Sequence, residues 1–140
     1  MKPILTLTAF IFAGCASQPA NLVPYHAVRN PSDALTYAVA HLDYPDHLFA
    51  FVSNESHSMR PAIEGGDIVL THTYSGEVLR PGQIVIFDRG DYPRVCHRVI
   101  EFNGRAAYLA GDDNLWPDGW YAKDRIRWVV DEIVSTARSK

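Results

Sequence analysis

Short apolar runs rich in valine, isoleucine and phenylalanine recur along the chain, separated by clusters of glycine, proline, asparagine and aspartate. Runs of this length and composition are typical of buried or half-buried β-strands. The predicted strands cover residues 48–52, 68–70, 84–87, 94–101, 106–110 and 126–134, and residues 111–120 are predicted as a turn-rich loop. Many short strands predict a mainly β fold, either a coiled antiparallel sheet or a partly open barrel.

One short helix is predicted ahead of these strands. Asn30 is a suitable N-cap residue, and Pro31 suits the first helical turn. From there the apolar residues recur about every 3.6 positions, which predicts an amphipathic helix over residues 31–42. The residues of its predicted apolar face are Leu35, Ala38, Val39 and Leu42.

The beginning of the chain has the pattern of an export signal. Met1-Lys2 supplies a positive charge, residues 4–12 form an apolar core, and two small residues precede Cys15. The apolar stretch is much shorter than the roughly 20 residues that a membrane-spanning helix needs, so the pattern predicts a secretory signal peptide. The segment that ends at Cys15 also resembles a bacterial lipobox, which implies that Cys15 carries a lipid anchor in the cell envelope. An ordinary secretory signal and a buried first strand are the alternatives.

Size and charge restrict the possible domain organisation and partners. Residues 1–14 are the predicted signal peptide, residues 15–30 a polar tether, and residues 31–140 a single folded domain large enough for a core. The net charge is −3, with both signs scattered along the chain. This balance argues against binding of nucleic acid and against a polybasic membrane patch. The expected partner is therefore a peptide or a small molecule.

The first candidate for chemistry is Ser58. Pro61 fixes its own φ angle and pushes Arg60 towards an extended conformation, so the backbone after Ser58 is held in a bend. A serine held beside a sheet in this way suits a nucleophile, although most serines near turns only satisfy backbone groups. The functional interpretation therefore needs a base and an acid further along the chain.

A candidate base and two candidate acids lie further along. His97 lies inside a predicted strand whose alternation places Cys96 on the opposite face, which disfavours a cysteine–histidine pair. A histidine there is either a satisfied core residue or a general base. Asp112 and Asp118 lie in the next predicted loop, and either carboxylate could orient the imidazole. Loops rich in aspartate are often only turns, so the alternatives stay open.

Five short motifs follow one another along the chain: Ser56-x-Ser58-Met59-x-Pro61, Gly66-Asp67-Ile68-Val69, Pro81-Gly82-x-Ile84-Val85-x-Phe87, His97-Arg98-Val99-Ile100 and Gly111-Asp112-x-Asn114. In this order they resemble the boxes of type I signal peptidases, a superfamily that also includes the self-cleaving phage and SOS repressors. A histidine at the position of the general base resembles the endoplasmic-reticulum, archaeal and sporulation branch.

The resemblance implies both a fold and roles for individual residues. The fold is the coiled antiparallel β architecture of the signal peptidases. Ser58 matches the nucleophile, His97 the general base, Asp118 the acid that orients the histidine, and Asp112 the neighbouring aspartate. The Ser58 backbone N–H and the Ser56 hydroxyl would form the oxyanion hole. No metal or organic cofactor is implied, and the substrate is expected to be an extended peptide.

This sequence departs from the family pattern in several places. Gly119 stands where an arginine usually follows the orienting aspartate, and Gln83 and Asp113 also differ from the usual residues. Neither the family's transmembrane anchor nor its large inserted cap domain is expected in this chain. The expected function is a serine endopeptidase that cleaves an exported or membrane-associated polypeptide. The alternatives are a catalytically inactive module that binds a peptide or an envelope component, and a repressor-like self-processing protein, which the export signal disfavours.

Overall fold

The computed structural model describes residues 19–42 and 46–136. Within these ranges, strands alternate with turns after one early helix, and a short 3₁₀ turn, Lys123–Arg125, precedes the last strand. The elements are β1 (Tyr25–Val28), α1 (Pro31–Ala40), β2 (His47–Phe51), β3 (Ile68–Thr73), β4 (Ile84–Arg89), β5 (Tyr92–Phe102), β6 (Ala106–Ala110), β7 (Gly119–Ala122) and β8 (Ile126–Thr136).

The described strands form one open sheet in the order β2-β3-β8-β4-β5-β6-β7. Neighbours in this order are antiparallel, and β1 adds a parallel pairing to the end of β8. The sheet is not closed, and β2 and β7 lie at its two ends. The predicted fold class, a mainly β, partly open antiparallel architecture with one short helix, is confirmed.

The core lies on both faces of the sheet. Along β4, Ile84 and Ile86 pack into one apolar cluster, whereas Val85 and Phe87 pack into another. Successive side chains of a strand point to opposite faces, so a strand covered on both sides needs an uninterrupted apolar run. This double burial explains why residues 84–87 read as a continuous hydrophobic segment.

Helix α1 begins as predicted, but only part of its predicted apolar face is buried. The Asn30 side chain accepts a hydrogen bond from the backbone N–H of Asp33 at 2.9 Å, which is an N-cap. Ala34 and Ala38 are buried against the sheet. Leu35 and Val39, which were predicted on the apolar face, are 40% and 56% exposed. That part of the prediction is wrong, because the helix approaches the sheet through its small alanine side chains.

Two strands lie in segments that were predicted as irregular. Strand β1 belongs to the segment predicted as a tether, yet it pairs with β8, and the nearby Val23 is buried. Strand β7 begins inside the predicted loop 111–120 and pairs with β6. The predicted signal peptide and Cys15 fall outside the described residues. Across the ranges that the structure describes, no helix has the length and apolar character needed to cross a membrane.

Candidate active site

Ser58 lies in the loop that connects β2 to β3. A glycine turn closes the base of this loop: the N–H of Gly66 donates to the carbonyl of Val52 at 3.0 Å. A Cβ atom at Gly65 would lie 2.5 Å from the Cα of Asn54, so the close approach requires glycine. The next residue after Ser58, Met59, is buried in the core. The loop is therefore anchored on both sides of the serine.

His97 lies in β5 and faces Ser58. Its side chain is almost completely buried, and its Nε2 atom is 2.9 Å from the Ser58 Oγ atom. The ring of Phe87 lies beside the imidazole, with centroids 6.0 Å apart. The strand thus holds the imidazole in an apolar setting within hydrogen-bond reach of the hydroxyl.

Asp118 lies behind the imidazole, at the entry to β7. Its Oδ2 atom is 2.5 Å from the His97 Nδ1 atom, and its side chain is 3% exposed. A carboxylate in this position accepts the Nδ1–H hydrogen bond, so Nε2 is left free to accept one from the Ser58 hydroxyl. The three side chains form a continuous hydrogen-bonded series from hydroxyl to imidazole to carboxylate.

Arg89 holds the second oxygen of the same carboxylate. Its Nη1 atom donates to the Asp118 Oδ1 atom at 2.8 Å. Arg89 was not identified from the sequence as a site residue; it ends strand β4. The sequence feature that could have indicated another cation at this carboxylate is Gly119, which stands where the signal peptidases that the motifs resemble have an arginine.

Asp112 contacts a different partner. Its two carboxylate oxygens accept hydrogen bonds from Arg98 at 2.7 and 2.6 Å. The buried guanidinium also donates to the side chain of Asn21 and to the carbonyl of Gly82. The suggestion that Asp112 could orient His97 is therefore replaced: the structure places Asp118 there and uses Asp112 to neutralise Arg98.

The Asp112 loop nevertheless reaches Ser58 through its backbone. The N–H of Asp113 donates to the carbonyl of Ser58 at 2.8 Å. A Cβ atom at Gly111 would lie 2.7 Å from that same carbonyl oxygen, so the contact requires glycine. The Arg98–Asp112 ion pair thus fixes a loop that supports the backbone of Ser58.

An apolar groove of about 610 Å³ opens beside Ser58. Ser56, the other predicted oxyanion donor, lines the groove together with Ser58. The edge strand β2 and the beginning of β5 form its walls. The remaining lining residues are mostly aliphatic or aromatic and include Val69, Ile86, Cys96 and Trp128. Burial raises the pKa of the Cys96 thiol to about 12, which disfavours the reactive thiolate at neutral pH.

The other histidines form no metal centre. No group of three or more metal-ligating side chains occurs in residues 19–42 and 46–136. His26 and His41 stack on Tyr37. His72 lies between two carboxylates, with Nδ1 2.6 Å from Asp131 and Nε2 2.9 Å from Glu77. Because carboxylates only accept hydrogen bonds, the imidazole can donate to both of them only when both of its nitrogens are protonated.

This arrangement predicts a pH-dependent contribution to stability. Partial burial lowers the pKa of His72, but the hydrogen bonds and charges of Glu77 and Asp131 raise it overall above its ordinary value of 6.5. A raised pKa stabilises the fold below the unfolded value, and this stabilisation is lost as the pH rises through the folded value. His72→Gln should therefore lower Tm by about 2–5 °C at pH 6 and much less at pH 9.

The control for that measurement is His57→Gln, which removes an exposed imidazole. His47, whose Nε2 atom lies 4.0 Å from Asp131, stays unchanged in both variants. Thermal melts across the pH range give the comparison. A loss of Tm in His72→Gln that is equal at pH 6 and pH 9 would contradict a role for the protonated form.

The fold and this geometry define a class of protein. Its members are mainly β, with an open sheet that carries a serine–histidine–aspartate constellation beside a groove. The chain belongs to the Peptidase S24-like family, whose model matches residues 13–130. No curated protein and no solved structure gave a match. Family membership supports a peptidase or a related function, and it places the chain in the superfamily that the sequence motifs indicated.

Proposed function

We propose that this protein is a serine endopeptidase that uses Ser58, His97 and Asp118. The observation that carries the proposal is the 2.9 Å distance between the Ser58 Oγ and His97 Nε2 atoms, with Asp118 on the other ring nitrogen. A hydroxyl is a weak nucleophile until an adjacent base takes its proton. A buried imidazole whose tautomer is set by a carboxylate is suited to that task.

The proposed reaction proceeds through an acyl-enzyme. Ser58 Oγ attacks the scissile carbonyl carbon while His97 Nε2 takes the hydroxyl proton, and the protonated imidazole then gives that proton to the leaving amine. Water, deprotonated by His97, attacks the ester and releases Ser58. The backbone N–H of Ser58 and the hydroxyl of Ser56 are proposed to stabilise the oxyanion, and such donors typically contribute about 2.7–4 kcal/mol each.

The groove supports an extended polypeptide as substrate. Strand β2 lies at the end of the sheet order and forms one wall of the groove. A peptide can add to such an edge through backbone hydrogen bonds, and side-chain pockets then select residues. The signal peptidase resemblance and the Ser-His site together favour a signal peptidase type of enzyme that acts on an exported or membrane-associated polypeptide.

The experiment that tests this function is cleavage of a diverse peptide library by the whole chain, with Ser58→Ala as the comparison. Products that disappear in the variant identify an enzyme. A catalytically inactive binding module would show peptide binding but no serine-dependent product. Cleavage of the chain itself, at a rate independent of protein concentration, would instead indicate the self-processing alternative.

The proposed location is the cell envelope, with a lipid anchor on Cys15. The short apolar segment and the lipobox-like residues before Cys15 support this proposal. In a bacterial host fed a labelled fatty acid, the full chain should incorporate label and sediment with membranes, whereas Cys15→Ser should not be labelled. Equal labelling of Cys96→Ser and the unchanged chain is the expected control, and an unlabelled wild-type chain would exclude the anchor.

A further inference from the structure

One cationic side chain lines a groove whose other described lining residues are uncharged. Arg94 is the single charged residue among the described residues that line it. Its φ angle is 62°, a left-handed conformation that side-chain-bearing residues rarely adopt. Such outliers cluster at ligand-binding and active sites, because the surrounding structure must hold them in place. The backbone is therefore bent at the point where this arginine enters the groove.

No carboxylate of the described residues neutralises the guanidinium of Arg94. It lies over the ring of Trp128, with its central carbon 5.9 Å from the ring centre. The nearby Asp88 carboxylate contacts the backbone of Arg94 and pairs with the side chain of Arg127 at 2.6 Å. Within the described residues the Arg94 guanidinium forms no salt bridge. Stacking on an aromatic face leaves its N–H donors free for a ligand.

We propose that Arg94 selects substrates that carry an acidic side chain, an inference that rests on the proposed peptidase function. A guanidinium binds a carboxylate with two parallel hydrogen bonds, and a bound peptide would shield the pair partly from water. The aliphatic walls of the groove accept the neighbouring apolar side chains. The substrate class is thus an extended, mostly apolar segment with one aspartate or glutamate.

The strand geometry gives the position of that acidic residue. Arg94 precedes His97 by three residues in β5. A strand rises about 3.3 Å per residue, so the backbone positions of the two residues are at most roughly 10 Å apart along β5. Ser58, which His97 contacts, lines the same groove as Arg94. A peptide extended beside β5 would place the acidic residue about three positions from the scissile bond.

The test compares peptides that differ only by glutamate, glutamine or lysine at each of four positions on either side of a cleaved bond. In the wild-type chain, glutamate should raise kcat/KM about fivefold over glutamine at a single position, two to four residues from the bond. Arg94→Gln should remove this preference, and Arg94→Glu should reverse it in favour of lysine. High salt should weaken the preference, because the ion pair is only partly shielded from solvent.

Arg105→Gln is the matched control, since it removes the same charge from the exposed turn at the other end of β5. It should keep the wild-type preference. An unchanged glutamate-to-glutamine ratio in Arg94→Gln, or no preference in the wild type, would overturn the inference. If no peptide is cleaved in a Ser58-dependent way, the peptidase proposal fails instead. The ratio of peptide Kd values measured on the Ser58→Ala chain then decides the Arg94 subsite by itself.

Discussion

Ser58→Ala should reduce kcat/KM for peptide cleavage by at least about 10⁴-fold, at least as large a loss as removal of the orienting carboxylate causes. In the proposed mechanism the Ser58 hydroxyl forms the ester bond, and the alanine side chain leaves His97 with no hydroxyl proton to accept. The proposed oxyanion donors and the groove remain, so some acceleration over water should persist. The rate is measured with a peptide identified in the library experiment, under conditions where substrate is far below KM.

Ser53→Ala controls for the loss of a hydroxyl from the same loop. Ser53 lines the groove, and its side chain accepts a hydrogen bond from the backbone of Glu55 at 3.3 Å. This control should change the rate by less than a few fold. The Ser58 backbone carbonyl keeps its hydrogen bond from Asp113, so Ser58→Ala should unfold at the wild-type temperature. Retention of full cleavage in a folded Ser58→Ala chain would contradict the covalent mechanism.

Strands that carry large apolar residues could be predicted from the sequence, and strands that depend on partners could not. The run from Ile84 to Phe87 is buried on both faces, so its composition alone indicates a strand. Strand β1 is short and half exposed, and its parallel pairing with the end of β8 is a tertiary interaction with little local signature. Strand β7 lies among turn residues and exists because β6 provides its partner.

Ser58 and His97 were predicted from the sequence because each stands in one of the five motifs, whereas Asp118 lies beyond the last motif and was a candidate through its loop and the resemblance. The sequence could not show whether Asp112 or Asp118 contacts His97, because both lie in one loop. Which carboxylate reaches the imidazole depends on how that loop folds. The structure resolves the choice through Arg98, which binds both oxygens of Asp112. Arg89 was missed because its contact with Asp118 joins residues 29 positions apart.

Asp118→Asn should lower kcat/KM by about 10³- to 10⁴-fold while leaving the fold intact. The amide NH₂ group can take the position of Oδ2 and donate to His97 Nδ1, which then carries the lone pair. The proton moves to Nε2, and the imidazole can no longer accept the Ser58 proton. The amide also lacks the negative charge that stabilises the imidazolium during the reaction. Because Arg89 still donates to Oδ1, the side chain should keep its place.

Two isosteric variants separate this effect from structural damage. Asp113→Asn changes an exposed carboxylate whose contribution to the site is its backbone N–H, so it should have wild-type activity. Asp112→Asn removes the charge that compensates the buried Arg98, so it should lower Tm as well as the rate. Asp118→Asn should instead lose activity with a Tm much closer to that of the wild type. Activity that falls strongly in Asp112→Asn but stays unchanged in a folded Asp118→Asn would reverse the assignment of the orienting acid.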